Sequence, residues 1–172
     1  MAAAVTRFGE LTHAFPSTTI HYAVNANPHP ALLGALAAAG CSFDVASPPE
    51  VAACLEAGAR PSAFVHSNPI ARRRDLELAA DLGVSLFVVD SPGEIYKLAA
   101  AAPGRSILLR LRTSGEGSDW PLSRKYGCGP DEVVALADRA RAVGLDVAGL
   151  AFHVGSQQRA PDRWAAPIAG AG

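Results

Sequence analysis

Arg110 and His153 each lie inside an otherwise apolar run, SILLRLR and VAGLAFHV. A polar side chain placed there costs free energy unless it is paired or put to use. Polar residues close the other apolar runs as well: Asn25 and Asn27, Asp44 and Ser47, His66 and Asn68, Asp90 and Ser91. Arg112 follows Arg110, and Ser156 follows His153. Polar groups collected at successive strand ends are how a barrel of alternating strands and helices builds a site. For Ser47, Asn68 and Ser91 a plainer role competes, since each stands just before a helix and can cap it. Amines are scarce. Of the 15 basic residues only Lys97 and Lys125 are lysines, so chemistry that needs a nucleophilic amine must use one of them or find the amine elsewhere. Cys41, Cys54 and Cys128 are spaced neither as zinc ligands nor as a disulfide framework, and buried free thiols with no metal are expected.

The elements that must position these residues are legible as a rhythm. Short β-branched runs near 19–24, 42–46, 62–66, 85–89, 106–112 and 147–154 read as strands. Ala/Leu-rich stretches near 29–39, 48–58, 70–82, 92–102 and 131–143 read as helices between them. Pro28, Pro49, Pro69 and Pro92 sit at or near helix starts, and Gly40, Gly58, Gly83 and Gly144 at or near helix ends. The strands are nearly continuous in apolar residues, as parallel strands covered on both faces are. Residues 113–129, TSGEGSDWPLSRKYGCG, interrupt the rhythm as a long polar insertion, and loops of that length are often functional. A doubly wound sheet and a (β/α)8 barrel both fit six βα units; the polar strand ends favour the barrel.

Composition narrows the partners. Fifteen basic residues against 16 acidic ones leave a net charge of −1, which argues against nucleic acid or an anionic membrane as the main partner. No apolar run reaches the roughly 18 residues a membrane helix needs. The start, MAAAVTRFGE, lacks the pattern of a signal peptide. A cytoplasmic protein with one domain is the simplest expectation.

Five motifs then come in one order and spacing: HYAVNANP, SFDVAS followed by Glu50, VVDSPGE, DWPLSRKYG and FHVGSQ. Together they resemble the pyridoxal-phosphate-dependent ornithine, diaminopimelate and arginine decarboxylases, which share the alanine-racemase-type barrel. The insertion and FHVGSQ are most similar to the bacterial ornithine/lysine branch. The resemblance implies an α/β fold: a partial (β/α)8 barrel of about six βα units. It lacks the last strands and the C-terminal β domain, and its start falls inside the family's first helix. The whole of 1–172 reads as one incomplete pyridoxal-phosphate-binding domain, well matched over 17–165, with 166–172 an irregular tail. The tail from Ala165 shows no helix-forming pattern.

By the same resemblance His153 stacks on the pyridine ring, and Ser156 donates to the phosphate. Asp44 and Glu50 line the site, Glu50 supporting His153. Arg110 lies under the cofactor, and Lys125 contacts a second subunit rather than acting as a catalytic amine. One position departs. Where the family has the lysine that forms the Schiff base, this chain has Asn25, whose amide nitrogen is not nucleophilic. The expectation is a barrel domain of a basic amino acid (ornithine) decarboxylase of polyamine biosynthesis, inactive by itself and holding pyridoxal phosphate weakly if at all. The exposed edges of an incomplete barrel call for pairing with a second copy or another chain. Two other readings follow: a non-catalytic relative that binds a partner, and a barrel protein that carries the cofactor.

Overall fold

The structure is a computed structural model and describes residues 1–169. It is α/β, with six parallel strands in the order β1-β2-β3-β4-β5-β7 and a separate antiparallel pair, β6 with β8. The chain divides into two compact units, Met1–Phe87 and Val88–Gly172.

The first unit contains α1 (Ala2–Ala14), β1 (His21–Ala23), α2 (Pro30–Ala38), β2 (Ser42–Val45), α3 (Pro48–Glu56), β3 (Phe64–His66) and α4 (Arg73–Asp81). It ends with the opening residues of β4 (Leu86–Val89). Parallel pairing sets Phe43 beside Tyr22 and Phe64, and Val45 beside His66, which in turn pairs with Phe87. Side chains alternate along a strand and paired residues share a face, so Phe43, Val45, Phe64, His66 and Phe87 form one row. All five are buried, with Leu33, Leu36, Val51, Cys54 and Leu76 of the helices. Asp44 belongs to the opposite row, with Ala23 and Val65.

The second unit opens with Val88 and Val89 of β4. It continues through α5 (Pro92–Ala101), β5 (Ser106–Leu111), β6 (Ser118–Trp120), α6 (Pro130–Ala142), β7 (Asp146–Phe152), β8 (Ser156–Gln158) and α7 (Ala165–Ala169). Ile107 and Leu109 of β5 are fully buried, as are Ile95 and Leu98 of α5 and Ala140 of α6. Ser106, Leu108 and Arg110 alternate with them on the other side of β5.

The expected rhythm is present, with physical reasons for its shifts. The first strand stops at Ala23 because Val24–Ala26 coil into a 3₁₀ turn anchored by the fully buried Val24. The third begins only at Phe64, since Pro61–Ala63 form another such turn. The fourth helix starts at Arg73 rather than near 70. Pro69 lies four residues before it, and Asn68 accepts from the Ile70 N–H in a turn of its own instead of capping the helix. Two expectations are corrected. Part of the insertion is a strand, Ser118–Trp120, paired antiparallel with Ser156–Gln158. Ala165–Ala169 is a short helix rather than irregular chain, continuing the 3₁₀ turn Pro161–Trp164. Pro167 falls in its first turn, where a missing N–H costs little. The remainder of the tail lies outside the described residues.

Candidate functional site

In the first unit, Asn25 is exposed in the 3₁₀ turn directly after β1. Asn27 is structural: its carbonyl accepts from the Tyr22 hydroxyl at 3.2 Å and its Oδ1 from the His29 N–H at 3.1 Å. Asp44 is half-buried near the end of β2. Burial pushes its carboxyl above the usual range, opposed by a hydrogen bond from the Ser67 side chain and by His21 and His66 nearby. Glu50, in the first turn of α3, accepts from the Ala46 N–H at 2.6 Å and so pins the turn between β2 and α3. Ser47, the N-cap of that helix, makes no side-chain cap bond.

His66 closes β3 from the helix-facing row, opposite to Asp44. It is fully buried, with its ring tilted against Phe87 at 5.6 Å, and neither ring nitrogen has a hydrogen-bond partner. Burial lowers its pKa below the ordinary 6.5, only partly offset by backbone groups and by the charges of Asp44 and Asp75. It is a core histidine held neutral.

In the second unit the polar strand ends are tied to the long loop. Asp90, after β4, accepts from the Gly127 N–H at 2.9 Å. Ser91 caps α5 by accepting from the Glu94 N–H at 3.4 Å. Arg112 donates through Nε to the Gly127 carbonyl at 3.0 Å and through its N–H to the Cys128 carbonyl at 2.9 Å. Gly127 is required there. Its φ is +94°, and an added Cβ would come within 2.7 Å of the Arg112 backbone.

His153 follows β7 and is exposed. Its Nδ1 accepts from the Gly155 N–H at 2.9 Å, and its carbonyl accepts from the Thr113 hydroxyl at 2.6 Å. A neutral imidazole that accepts at Nδ1 carries its proton on Nε2. Ser156 opens β8 and pairs with Trp120. Gly155 before it has φ +98°, and a Cβ there would meet Ser118 Oγ at 2.1 Å. Gln157 after it has φ +55°, the one positive value at a non-glycine among the described residues. Arg110 is half-buried on β5, with its guanidinium carbon 4.9 Å from the Tyr126 ring centre. A cavity of about 520 Å³ in this unit, lined by Leu111, Arg112, Thr113, Val154 and Arg163 among others, contains none of Arg110, His153 and Ser156.

The remaining nucleophile types are engaged elsewhere. Lys97 pairs with Glu94 at 2.5 Å on α5, and Lys125 lies 4.9 Å from the Tyr126 ring centre. The three cysteines are free and buried. Burial raises all three thiols, Cys54 to about 11, so thiolate is scarce at neutral pH.

The profile of the family described as "Pyridoxal-dependent decarboxylase, pyridoxal binding domain" matches residues 1–170. The chain belongs to this family. Among curated relatives it is 39% identical over 142 residues to a lysine/ornithine decarboxylase of Selenomonas ruminantium, covering 83% of this chain and 36% of that protein. It is 37% identical over 159 residues to the chloroplastic ornithine decarboxylase of Nicotiana glauca, covering 92% of this chain and 37% of that one. The arginine decarboxylase of Paramecium bursaria Chlorella virus superposes with a TM-score of 0.93 at 30% identity, over 98% of this chain and 46% of that structure. The chain thus spans little more than a third of the length of these curated relatives. The fold is that of the N-terminal barrel portion of these decarboxylases. No helix among the described residues is long and apolar enough to cross a membrane.

Sequence reasoning missed the β6–β8 pair, the bond from Thr113 to His153 and the packing of Tyr126 on Arg110. Strands of three residues are too short for alternation to register. Gly115, Gly117 and Gly127, all with positive φ, were the available signal that the insertion turns back on itself.

Proposed function

We propose that this chain is the pyridoxal-phosphate-binding barrel domain of a decarboxylase for basic amino acids, ornithine foremost, and that it holds the cofactor without a covalent link. The names of its relatives, which are lysine/ornithine, ornithine and arginine decarboxylases, support the substrate class. The donor set supports non-covalent holding. His153 offers an exposed imidazole oriented through Nδ1, Ser156 a hydroxyl at the start of β8, and Arg110 a cation on β5. We assign ring contact to His153 and phosphate contact to Ser156, with Arg110 beneath the ring.

The observation that carries the reading is Asn25. It stands at the end of β1, where the family's lysine is found, and its amide cannot attack the cofactor aldehyde. Bound pyridoxal phosphate would supply an electron sink for the carbanion left on loss of carbon dioxide. What this chain contributes is orientation of the ring, charge beneath it and grip on the phosphate. Without the covalent link we expect weak binding and no decarboxylation by this chain alone. Assembly with a second copy or another polypeptide, with Lys125 at the contact, belongs to the same proposal.

The test is intact mass after incubation with pyridoxal phosphate and borohydride reduction, with the Asn25→Lys variant in parallel. The expected result is no adduct on the native chain and one on the variant. An adduct on the native chain mapped to Lys97 or Lys125 would overturn the assignment of Asn25 as the decisive loss. Absence of an adduct on both would overturn the cofactor site itself.

A further inference from the structure

We infer that Tyr126 is a positioning residue for Arg110, its ring holding the guanidinium in the orientation in which Arg110 serves the cofactor. The inference rests on the reading of Arg110 given above and adds the residue through which the insertion acts on it.

The contact itself is a cation over an aromatic face, with 4.9 Å from guanidinium carbon to ring centre, inside the range where this attraction is appreciable. The ring is not free to drift. Its neighbour Gly127 donates to Asp90 and accepts from Arg112, at 2.9 Å and 3.0 Å. The next residue, Cys128, donates its N–H to the Arg110 carbonyl at 2.9 Å and forms a parallel bridge with Leu111. Residues 127 and 128 are therefore registered on the same strand that carries Arg110, and the Tyr126 ring just before them is set beside the guanidinium. Lys125 places its ammonium at 4.9 Å from the same ring centre, but from an exposed position on the adjoining residue.

An arginine side chain loses substantial rotamer freedom when it is fixed by a ligand. A ring that fixes it beforehand removes part of that cost from binding. Arg110 and Tyr126 are 16 positions apart, with most of the polar insertion between them. Much of that insertion can then be understood as the path that brings one aromatic ring back to the strand.

The experiment is a double-mutant cycle read by fluorescence titration with pyridoxal phosphate. It uses the native chain, Tyr126→Phe, Tyr126→Leu, Arg110→Met and the Tyr126→Leu/Arg110→Met pair. Tyr126→Gln takes the place of the leucine variant if that one does not fold. Tyr126→Phe is expected within about two-fold of the native chain, and Tyr126→Leu weaker by about five-fold, the scale of one partly desolvated cation–π contact. In the Arg110→Met background, loss of the ring is expected to change nothing further. Native-like affinity in Tyr126→Leu, or an equal loss in both backgrounds, overturns the inference.

A native chain that binds no pyridoxal phosphate defeats the cofactor reading and leaves the inference to a second measurement. In ¹⁵N spectra of the arginine Nε–H groups, the Arg110 signal is identified by its loss in Arg110→Met. It is expected to be displaced by the ring in the native chain and in Tyr126→Phe, and to shift in Tyr126→Leu. A signal that stays in place overturns the inference.

Discussion

The two units treat the polar residues at their strand ends differently. In Met1–Phe87 these residues are held by a turn a few positions away, as Asn27 is by His29, or from the end of the next strand, as Asp44 is by Ser67, or have no hydrogen-bond partner, as His66. In the second unit they are held by a distant loop. Asp90 and Arg112 grip Gly127, Thr113 grips the His153 carbonyl, and Tyr126 packs on Arg110. One half relies on local connections and on the core, while the other routes its order through residues 113–129. The second arrangement suits groups that must be aimed, because the loop reaches them from beyond the strand tip.

The comparison can be broken most sharply at Gly127. Gly127→Ala forces a Cβ against the Arg112 backbone at a positive φ, and is expected to destabilise by about 2–4 kcal/mol. Urea denaturation measures this, and a change below about 1 kcal/mol would show that the loop is not what orders the second unit.

His66 probes the other side. Its folded pKa lies below the unfolded value of 6.5, so the unfolded chain takes up a proton that the folded one resists. Stability is therefore full above pH 6.5 and falls as pH drops below it, by at most about 1.4 kcal/mol per pH unit. His66→Leu is expected to flatten that fall, checked by denaturation at a series of pH values from neutral to mildly acidic. An unchanged slope would mean that other groups carry it.

Thr113→Val removes the 2.6 Å bond to the His153 carbonyl and is expected to cost about 1 kcal/mol. The loss would be seen in thermal unfolding. The smallest contrast is between two serines before helices. Ser91→Ala is expected to cost about 0.5–1 kcal/mol because the side chain caps α5, whereas Ser47→Ala is expected to cost less, since Ser47 makes no such bond. Equal losses at the two sites would erase that difference between the units.

What was legible in the sequence follows the same division. Strands and helices joined by short turns could be read from apolar runs, prolines and glycines, because those signals act within a few residues. The family motifs drew attention to His153, Ser156, Arg110, Asp44, Glu50 and Asn25, whose roles toward a cofactor belong to the proposal. That His66 faces the helices and Asp44 the opposite row depends on register, which no single strand displays. The partners of Arg110 and His153 come from residues 16 and 40 positions away, and only the folded loop brings them close. Polar strand ends also proved to have mixed duties: Asp90, Ser91 and Arg112 serve the loop and a helix cap.

The return of the insertion to its strand has a consequence for how such a domain can diversify. Chain that is fastened where it leaves, at Thr113, along β6, and where it comes back, at Gly127 and Cys128, can change length between those fastenings at small cost. Closing a flexible loop of twice the length costs only about 0.6 kcal/mol more. Residues from Pro121 to Arg124, between β6 and the return to the strand, are thus open to insertion, deletion and replacement while Arg110 stays where it is. New surface can be tried there without disturbing the strand that carries Arg110.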